Sequence, residues 1–311
     1  MLDVCLMGCG GSIPTPERYL SSLLCRHGGN ELVIDCGEGT QLAMKKAGFT
    51  AGKISLILLT HFHADHVSGL PGMLLAMANE GRTDPVTIAG PRGASRIVSS
   101  LCVIAQGLPF SVTVYEFPNT GGELPAYLFE QGGNSGAPMT VRAFPARHSV
   151  PTLGYRISLP RAGKFDPEKA RASGIPIRCW GVLQRGENVE IDGKVFTPDA
   201  VLGAPRRGLD ISYVTDSRPT DTIRQAVADS DLLICEGMFP DEKYERALKS
   251  RHMTAREAAN IAKDAAVRRL WLTHYSPSIP NPADSLREAQ EVFPSTEAGH
   301  DGKFKSLQFD D

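Results

Sequence analysis

Three histidines and an aspartate fall within six residues, His61-Phe62-His63-Ala64-Asp65-His66, directly after the apolar run Ile54-Ser55-Leu56-Ile57-Leu58-Leu59-Thr60. A run of that length and composition reads as a strand buried on both faces. A sheet would therefore deliver imidazoles and a carboxylate to a loop at its end. The whole chain has only eight histidines, so three in one short loop are poorly explained as chance polar residues. Neutral imidazole and carboxylate are donors suited to Zn²⁺, and Mn²⁺ or Fe accept the same set. Four such groups in six residues cannot all turn toward one tetrahedral ion. Two adjacent ions fit better.

Composition sets the frame around that loop. The chain of 311 residues is 41% apolar and 22% charged, which excludes a disordered chain and leaves room for a large core in one or two domains. Lys and Arg number 33 against 35 Asp and Glu, so a globally basic nucleic-acid binder is excluded while a local basic patch stays open. The seven cysteines are odd in number, are spread out and contain no Cys-x-x-Cys pair; they predict neither a disulfide framework nor a cysteine zinc finger. No basic segment precedes the first apolar run, which breaks at Gly8, so no signal peptide is expected. The uncharged stretch from Ile97 to Tyr115 is long enough to raise the question of a membrane span, but Gly107-Leu108-Pro109 would end a helix inside it. It reads as a buried helix followed by a strand. A cytoplasmic protein without membrane contact is expected.

Short β-rich runs at Leu2–Met7, Glu31–Asp35, Ile54–Thr60, Val86–Ala89 and Val112–Phe117 cluster early. Later runs at Thr140–Pro145, Ile211–Thr215, Leu232–Cys235 and Leu270–Thr273 are joined by helical patterns such as Thr220–Ala228, Ala255–Ala266 and Pro282–Val292. This order predicts two sheets packed together with helices outside. Residues 132–136 (Gly-Gly-Asn-Ser-Gly) read as a flexible loop, and residues 159–204 interrupt the rhythm like an insertion. Gly8-x-Gly10 lacks a third glycine, and Pro14 and Pro16 preclude an immediate helix, so it is a turn and not a dinucleotide loop.

The His-x-His-x-Asp-His run resembles the signature of the metallo-β-lactamase superfamily, and partner donors stand at further strand ends. His148 follows Thr140–Pro145, Asp216 follows Ile211–Thr215, and His274 follows Leu270–Thr273. The resemblance implies one ion on His61, His63, His148 and Asp216, and a second on Asp65, His66, His274 and the same Asp216. A carboxylate has two oxygens and is suited to bridging.

More of the chain narrows the resemblance. Gly10-Gly11-Ser12-Ile13-Pro14-Thr15, Asp35-Cys36-Gly37-Glu38-Gly39-Thr40-Gln41, Gly69-Leu70-Pro71-Gly72, Gly154-Tyr155-Arg156 and Asp216-Ser217-Arg218-Pro219 are followed by His252-Met253-Thr254-Ala255-Arg256-Glu257-Ala258-Ala259 and Leu272-Thr273-His274-Tyr275-Ser276. Together they resemble the ribonuclease Z family of tRNA 3′-processing endonucleases. Thr254 and Glu257 also form a capping box by spacing, which puts His252 just outside a helix start. Glu236, after Leu232–Cys235, is an acid that could orient that imidazole.

The resemblance implies an α/β, four-layer αβ/βα metallo-β-lactamase-like sandwich over residues 1–311, with an inserted exosite-like arm at about 159–195. It also implies two Zn²⁺ per chain, precursor tRNA as substrate, a homodimer and no membrane partner. The activity would be hydrolysis of the phosphodiester at the 3′ side of precursor tRNA, with Asp65 accepting the nucleophile's proton and His252, held by Glu236, protonating the leaving 3′-oxygen. The alternative is a hydrolase of small phosphodiesters or sulfate esters on the same fold. Against the family pattern, Thr215 stands where glycine is common and Cys235 where histidine is. Ser276-Pro277-Ser278 lacks an arginine, and residues 175–180 lack a Gly-Pro signature. None of these departures removes a metal ligand. From Arg156 to Arg185, seven basic residues (Arg156, Arg161, Lys164, Lys169, Arg171, Arg178, Arg185) face only Asp166 and Glu168. This charge makes the arm a candidate clamp on an RNA backbone, with Trp180 as a packing or stacking element.

Overall fold

A computed structural model describes residues 1–129, 139–279 and 281–310. The loop expected at 132–136 lies outside the described residues.

Alternation of apolar side chains builds two seven-stranded sheets. The first contains β1 (Leu2–Gly8), β2 (Ser22–His27), β3 (Asn30–Ile34), β4 (Ile54–Leu58), β5 (Val86–Gly90), β6 (Val112–Glu116) and, from the far end of the chain, β16 (Lys303–Leu307). Their spatial order is β16-β1-β2-β3-β4-β5-β6. The pairs from β16 to β3 are antiparallel and those from β3 to β6 parallel. The second sheet contains β7 (Gly122–Glu123), β8 (Thr140–Arg147), β9 (Pro151–Arg161), β12 (Arg206–Val214), β13 (Leu232–Glu236), β14 (Leu270–Thr273) and β15 (Thr296–Ala298). Its order is β15-β14-β13-β12-β9-β8-β7, with β12 through β15 parallel and β7, β8, β9 and β12 antiparallel in turn.

Period-two burial explains the layers. Val4, Leu6, Leu56 and Leu58 enter the cluster shared with Tyr155, Ile157, Ile211 and Tyr213 of the second sheet. Their neighbours Cys5, Met7, Ile57 and Leu59 point the other way, onto Leu70, Met73, Leu74 and Met77 of the helix Leu70–Asn79. On the far side, Ala258, Ala259 and Ala262 of the helix Ala255–Asp264 cover the second sheet. Helix, sheet, sheet and helix therefore stack in four layers. Tyr155 is fully buried between the sheets and donates its hydroxyl to the Leu59 carbonyl at 2.6 Å, which satisfies a buried polar group.

Seven strands escape the sequence reading, four of them only two or three residues long. β9 carries prolines at residues 151 and 160 and Gly154 inside, a loop-like pattern. Gly154 is required there, because a Cβ would lie 2.3 Å from the Phe144 ring of β8. β2 is found through its pairing with β1 and β3, and β16 through its pairing with β1. The helix expected to be buried after Ile97 is corrected: Ala94–Leu101 buries only Ala94 and Val98, and the following turn leaves Val103 and Ile104 61% and 74% exposed. No described helix is long and apolar enough to cross a membrane.

Between β9 and β12 the chain builds a small module. It contains the helices Pro167–Ala172 and Ile177–Gln184 and the hairpin β10 (Val189–Ile191) and β11 (Lys194–Phe196). Ala170, Ile175, Leu183, Val201 and Leu202 form its core, flanked by Phe165 and Trp180. The expected bounds of 159–195 shift to 162–205: β9 keeps residues 159–161 in the sheet, and Val201 and Leu202 pack with the module. Asp166 N also donates to the Val201 carbonyl.

Candidate metal centre

The strands that matter all run the same way, so their carboxyl ends meet at one edge. After β3 comes Asp35, after β4 the run Thr60 to His66, after β8 His148, after β12 Asp216, and after β14 His274; β13 ends in Glu236 itself. The edge draws on both sheets, which Leu153 N ties together by donating to the Thr60 carbonyl at 2.9 Å. Asp65 and His66 sit in a single helical turn, Ala64–Val67, where a plain loop was expected.

All seven donors read from the sequence come together here. His61, His63, His148 and Asp216 form one group and Asp65, His66 and His274 another, each with its donor atoms within 4.8 Å of one another. Asp216 divides its oxygens between them. Its Oδ2 lies 3.6 Å from His61 Nε2 and 3.7 Å from His148 Nε2, while Oδ1 lies 3.2 Å from His66 Nε2 and 3.1 Å from His274 Nε2. Asp65 Oδ2 is 3.4 Å from His66 Nε2 and 3.5 Å from His274 Nε2. Donors about 2.0–2.1 Å from a tetrahedral ion stand about 3.3 Å apart, so the spacing fits metal ions. His61, His66, Asp216 and His274 are almost fully buried.

The charge states fit as well. Burial lowers His61 well below the ordinary imidazole value, and neighbouring His66 pushes it the same way; burial also lowers His148. Both are neutral, the form that ligates. Burial alone would raise Asp65, but hydrogen bonds from His274 and His66 hold it below the usual carboxylate range. Burial opposes ionisation of Asp216 too, yet the charges of His274 and His66 hold it well below that range. Burial likewise opposes the charge on His66, which Asp216 and Asp35 raise well above its ordinary value. The acids thus stabilise positive charge at the centre of the cluster, which a divalent ion would supply. This is a metal-binding site.

Behind the donors lies a layer that the sequence reading did not assign. Asp35 Oδ2 accepts from His66 Nδ1 at 2.8 Å, and its Oδ1 accepts from Thr60 N at 2.8 Å. Thr60 Oγ1 in turn lies 3.1 Å from His61 Nδ1. One carboxylate therefore fixes the orientation of two imidazoles. His148 Nδ1 is held by the Arg251 carbonyl at 3.1 Å, and Ser12 N donates to Asp65 Oδ2 at 2.7 Å.

His252 and Glu236 meet at the same edge. Glu236 Oε2 accepts from His252 Nδ1 at 3.0 Å, and Oε1 accepts from Ser217 N at 2.5 Å. His252 Nε2 then lies 3.9 Å from Asp216 Oδ2. Burial would lower His252, but the Glu236 carboxylate more than offsets it and raises the group to about 9. Thr254 accepts from Glu257 N and Glu257 reaches back to Thr254 N, so the expected capping box forms. Glu257 also pairs with Arg218, whose guanidinium donates to the His252 carbonyl. In the sequence Arg218 is only one residue of a motif; its contacts form once Asp216 and His252 lie side by side.

The family model described as Beta-lactamase superfamily domain matches residues 200–275, and that of Anti-Pycsar protein Apyc1 matches residues 2–96. Ribonuclease Z of Lachnospira eligens is 49% identical over 312 residues, covering 100% of this chain and 99% of its own. Ribonuclease Z of Lachnoclostridium phytofermentans is 45% identical over 311 residues, with 100% and 99% covered. Among solved structures, human tRNase Z, short form, superposes with a TM-score of 0.69 at 22% identity and covers 99% of this chain and 100% of its own. The metallo-β-lactamase fold protein YhfI from Bacillus subtilis gives 0.69 at 20% identity, with 98% of each chain covered. The four layers are the metallo-β-lactamase fold. By end-to-end likeness at up to 49% identity among these relatives, the chain belongs to the ribonuclease Z family.

Proposed function

We propose that this chain is a metal-dependent endoribonuclease that removes the 3′ trailer of precursor tRNA, with two Zn²⁺ held by His61, His63, His148, Asp65, His66 and His274 and bridged by Asp216. The carrying observation is the division of Asp216 between two donor groups beside the His252–Glu236 pair, in a chain that matches ribonucleases Z over its whole length. Bound there, the ions would acidify a water and screen the phosphoryl oxygens.

The chain's own residues carry the proton steps. Asp65, ionised and oriented by Ser12 N, accepts a proton from the water that attacks phosphorus. His252 carries a proton at neutral pH, and Glu236 fixes its Nδ1. Nε2 is thereby free to donate to the departing 3′-oxygen as the P–O3′ bond breaks. The products are tRNA with a 3′-hydroxyl and a trailer with a 5′-phosphate.

The module at 162–205 serves in this reading as a clamp on the tRNA backbone. Lys164, Arg171 and Arg178 are exposed and have no ion pair among the described residues. The rest of the basic run is committed elsewhere: Arg156 holds Asp210, Lys169 the Leu202 carbonyl, Arg185 Glu187 and Arg161 the Asp310 carbonyl. Trp180 is a packing element, half-buried against Phe165 with its indole N–H on the Ile175 carbonyl at 2.8 Å. A homodimer is supported by Leu42, Leu75, Val103 and Ile104, exposed on neighbouring helices over the first sheet. A reducing cytoplasm suits the seven free thiols.

The test is incubation of zinc-loaded protein with end-labelled precursor tRNA, followed by mapping of both product ends. The expected cut leaves the 3′-hydroxyl and 5′-phosphate named above. Hydrolysis of an aryl phosphodiester with no cut at the tRNA end would replace this reading with a small-ester hydrolase.

A further inference from the structure

We infer that Arg251 and Arg147, on either side of His148, form a phosphate-binding site for the RNA backbone next to the scissile bond; the inference rests on the ribonuclease reading above. Arg251 ends the helix Tyr244–Ser250 in the left-handed region, at φ 60° and ψ 38°. Glycine is the ordinary residue at such a helix end, because a Cβ is strained there. The backbone task at this position is to close the helix and to present a carbonyl to His148 Nδ1 at 3.1 Å. Any residue does this, and glycine does it without strain. The arginine side chain is surplus to that task.

The side chain is nevertheless held in a defined place. Its Nη1 donates to the His148 carbonyl at 2.9 Å, so the guanidinium lies across the residue whose Nε2 faces Asp216. Arg251 is exposed, and no carboxylate pairs with it among the described residues. The other guanidinium N–H groups have no protein partner among the described residues. Arg218 and Arg256 nearby differ, being taken up by Glu257 and by Asp241 with Glu291.

Arg147 has the same character. It is exposed and has no ion pair among the described residues, and its backbone is clasped on both sides. Its N–H donates to Ser217 Oγ at 2.9 Å, and its carbonyl accepts from Arg218 N at 2.9 Å. One guanidinium placed on the His148 carbonyl, and a second arginine on clasped backbone immediately before His148, match a chain of phosphates, because the planar fork pairs with two phosphate oxygens at once.

The site is tested through binding, with a short single-stranded RNA inhibiting aryl phosphodiester hydrolysis by the zinc-loaded protein over a range of salt. Arg251→Gly keeps the backbone carbonyl and relieves the strain, and Arg147→Ala removes the other side chain. Each is expected to raise the inhibition constant roughly 10-fold at low salt and to lower the salt slope by about 0.7, as for one lost phosphate contact on a single strand. Metal content should stay at the wild-type value, and Arg251→Lys should recover the slope by restoring the charge. An unchanged slope in both variants would overturn the proposal, as would loss of metal from Arg251→Gly, which would make Arg251 a prop for His148. Wild-type protein that RNA does not inhibit would overturn it too. Wild-type protein inhibited by RNA, with slopes that fall in the variants but no cut at the tRNA 3′ end, would defeat the tRNA reading and support the arginine site.

Discussion

The donor edge and the module at 162–205 are assembled on opposite terms. The edge gathers side chains from six strand ends in two sheets, spread from Asp35 to His274, and nearly every one is buried and held by another. The module is local in sequence, closes over five buried residues and leaves Lys164, Arg171 and Arg178 in solvent. The first arrangement gives fixed geometry at the cost of interdependence, since removing one buried member leaves its partners unsatisfied. The second gives charge and reach that are dispensable to the first. If the module is the clamp proposed above, chemistry and substrate grip sit in parts that can be damaged separately.

The largest effect should come from the residue on which the edge depends most. Asp216→Ala withdraws an oxygen from both donor groups, so zinc reconstitution followed by elemental analysis should find fewer than two ions per chain. Activity should fall further than for any other single change at the edge. Two ions retained at full occupancy would break the shared-carboxylate account.

His252→Ala should separate proton transfer from ligation within the edge. It should leave metal content unchanged and lower kcat by roughly 10²–10⁴, the range for a positioned acid; equal losses of metal and activity would make His252 a ligand. Glu236→Gln sharpens the point through pH. The Glu236 carboxylate raises His252 to about 9 against the effect of burial, so the proton is held through neutral pH and lost above about 9. Without that charge, burial is opposed less, and the alkaline limb of kcat should move to lower pH. A limb that stays in place would remove Glu236 from the proton step.

Asp35→Asn should have a smaller effect, because Asp35 touches no candidate ion. It orients His66 directly and His61 through Thr60, and losing such a partner typically weakens metal binding about 10–100-fold. Competition with a chelator measures this. An unchanged affinity would show that packing alone holds the two imidazoles.

The donors were legible because the His61–His66 run resembles a known signature and each remaining donor stands at or shortly after an apolar β-run, so sequence order and spatial placement coincide. Asp35 also follows such a run, but an acid before Cys36-Gly37 reads equally well as part of a tight turn. Its partner His66 is 31 positions away. Arg218 and Arg251 were opaque for the same reason: their contacts with His252 and His148 exist only after both sheets have closed. In the fold, β9 was hidden by its prolines and Gly154. Arg156, counted with the arm's charge, proved to be a strand residue buttressing Asp210 and the Ala226 and Ala228 carbonyls. Charge runs are read along the chain, whereas ion pairs form across it.

Replacing residues 162–204 with a short Gly-Ser linker tests the separation of chemistry from grip most directly, with precursor tRNA and an aryl phosphodiester assayed side by side. Every donor lies outside the replaced segment. KM for precursor tRNA should therefore rise and its salt dependence flatten, because phosphate contacts release counterions. Hydrolysis of the aryl diester should stay close to that of the intact chain. Unchanged KM and salt slope for tRNA, or parallel loss of both activities, would contradict that separation.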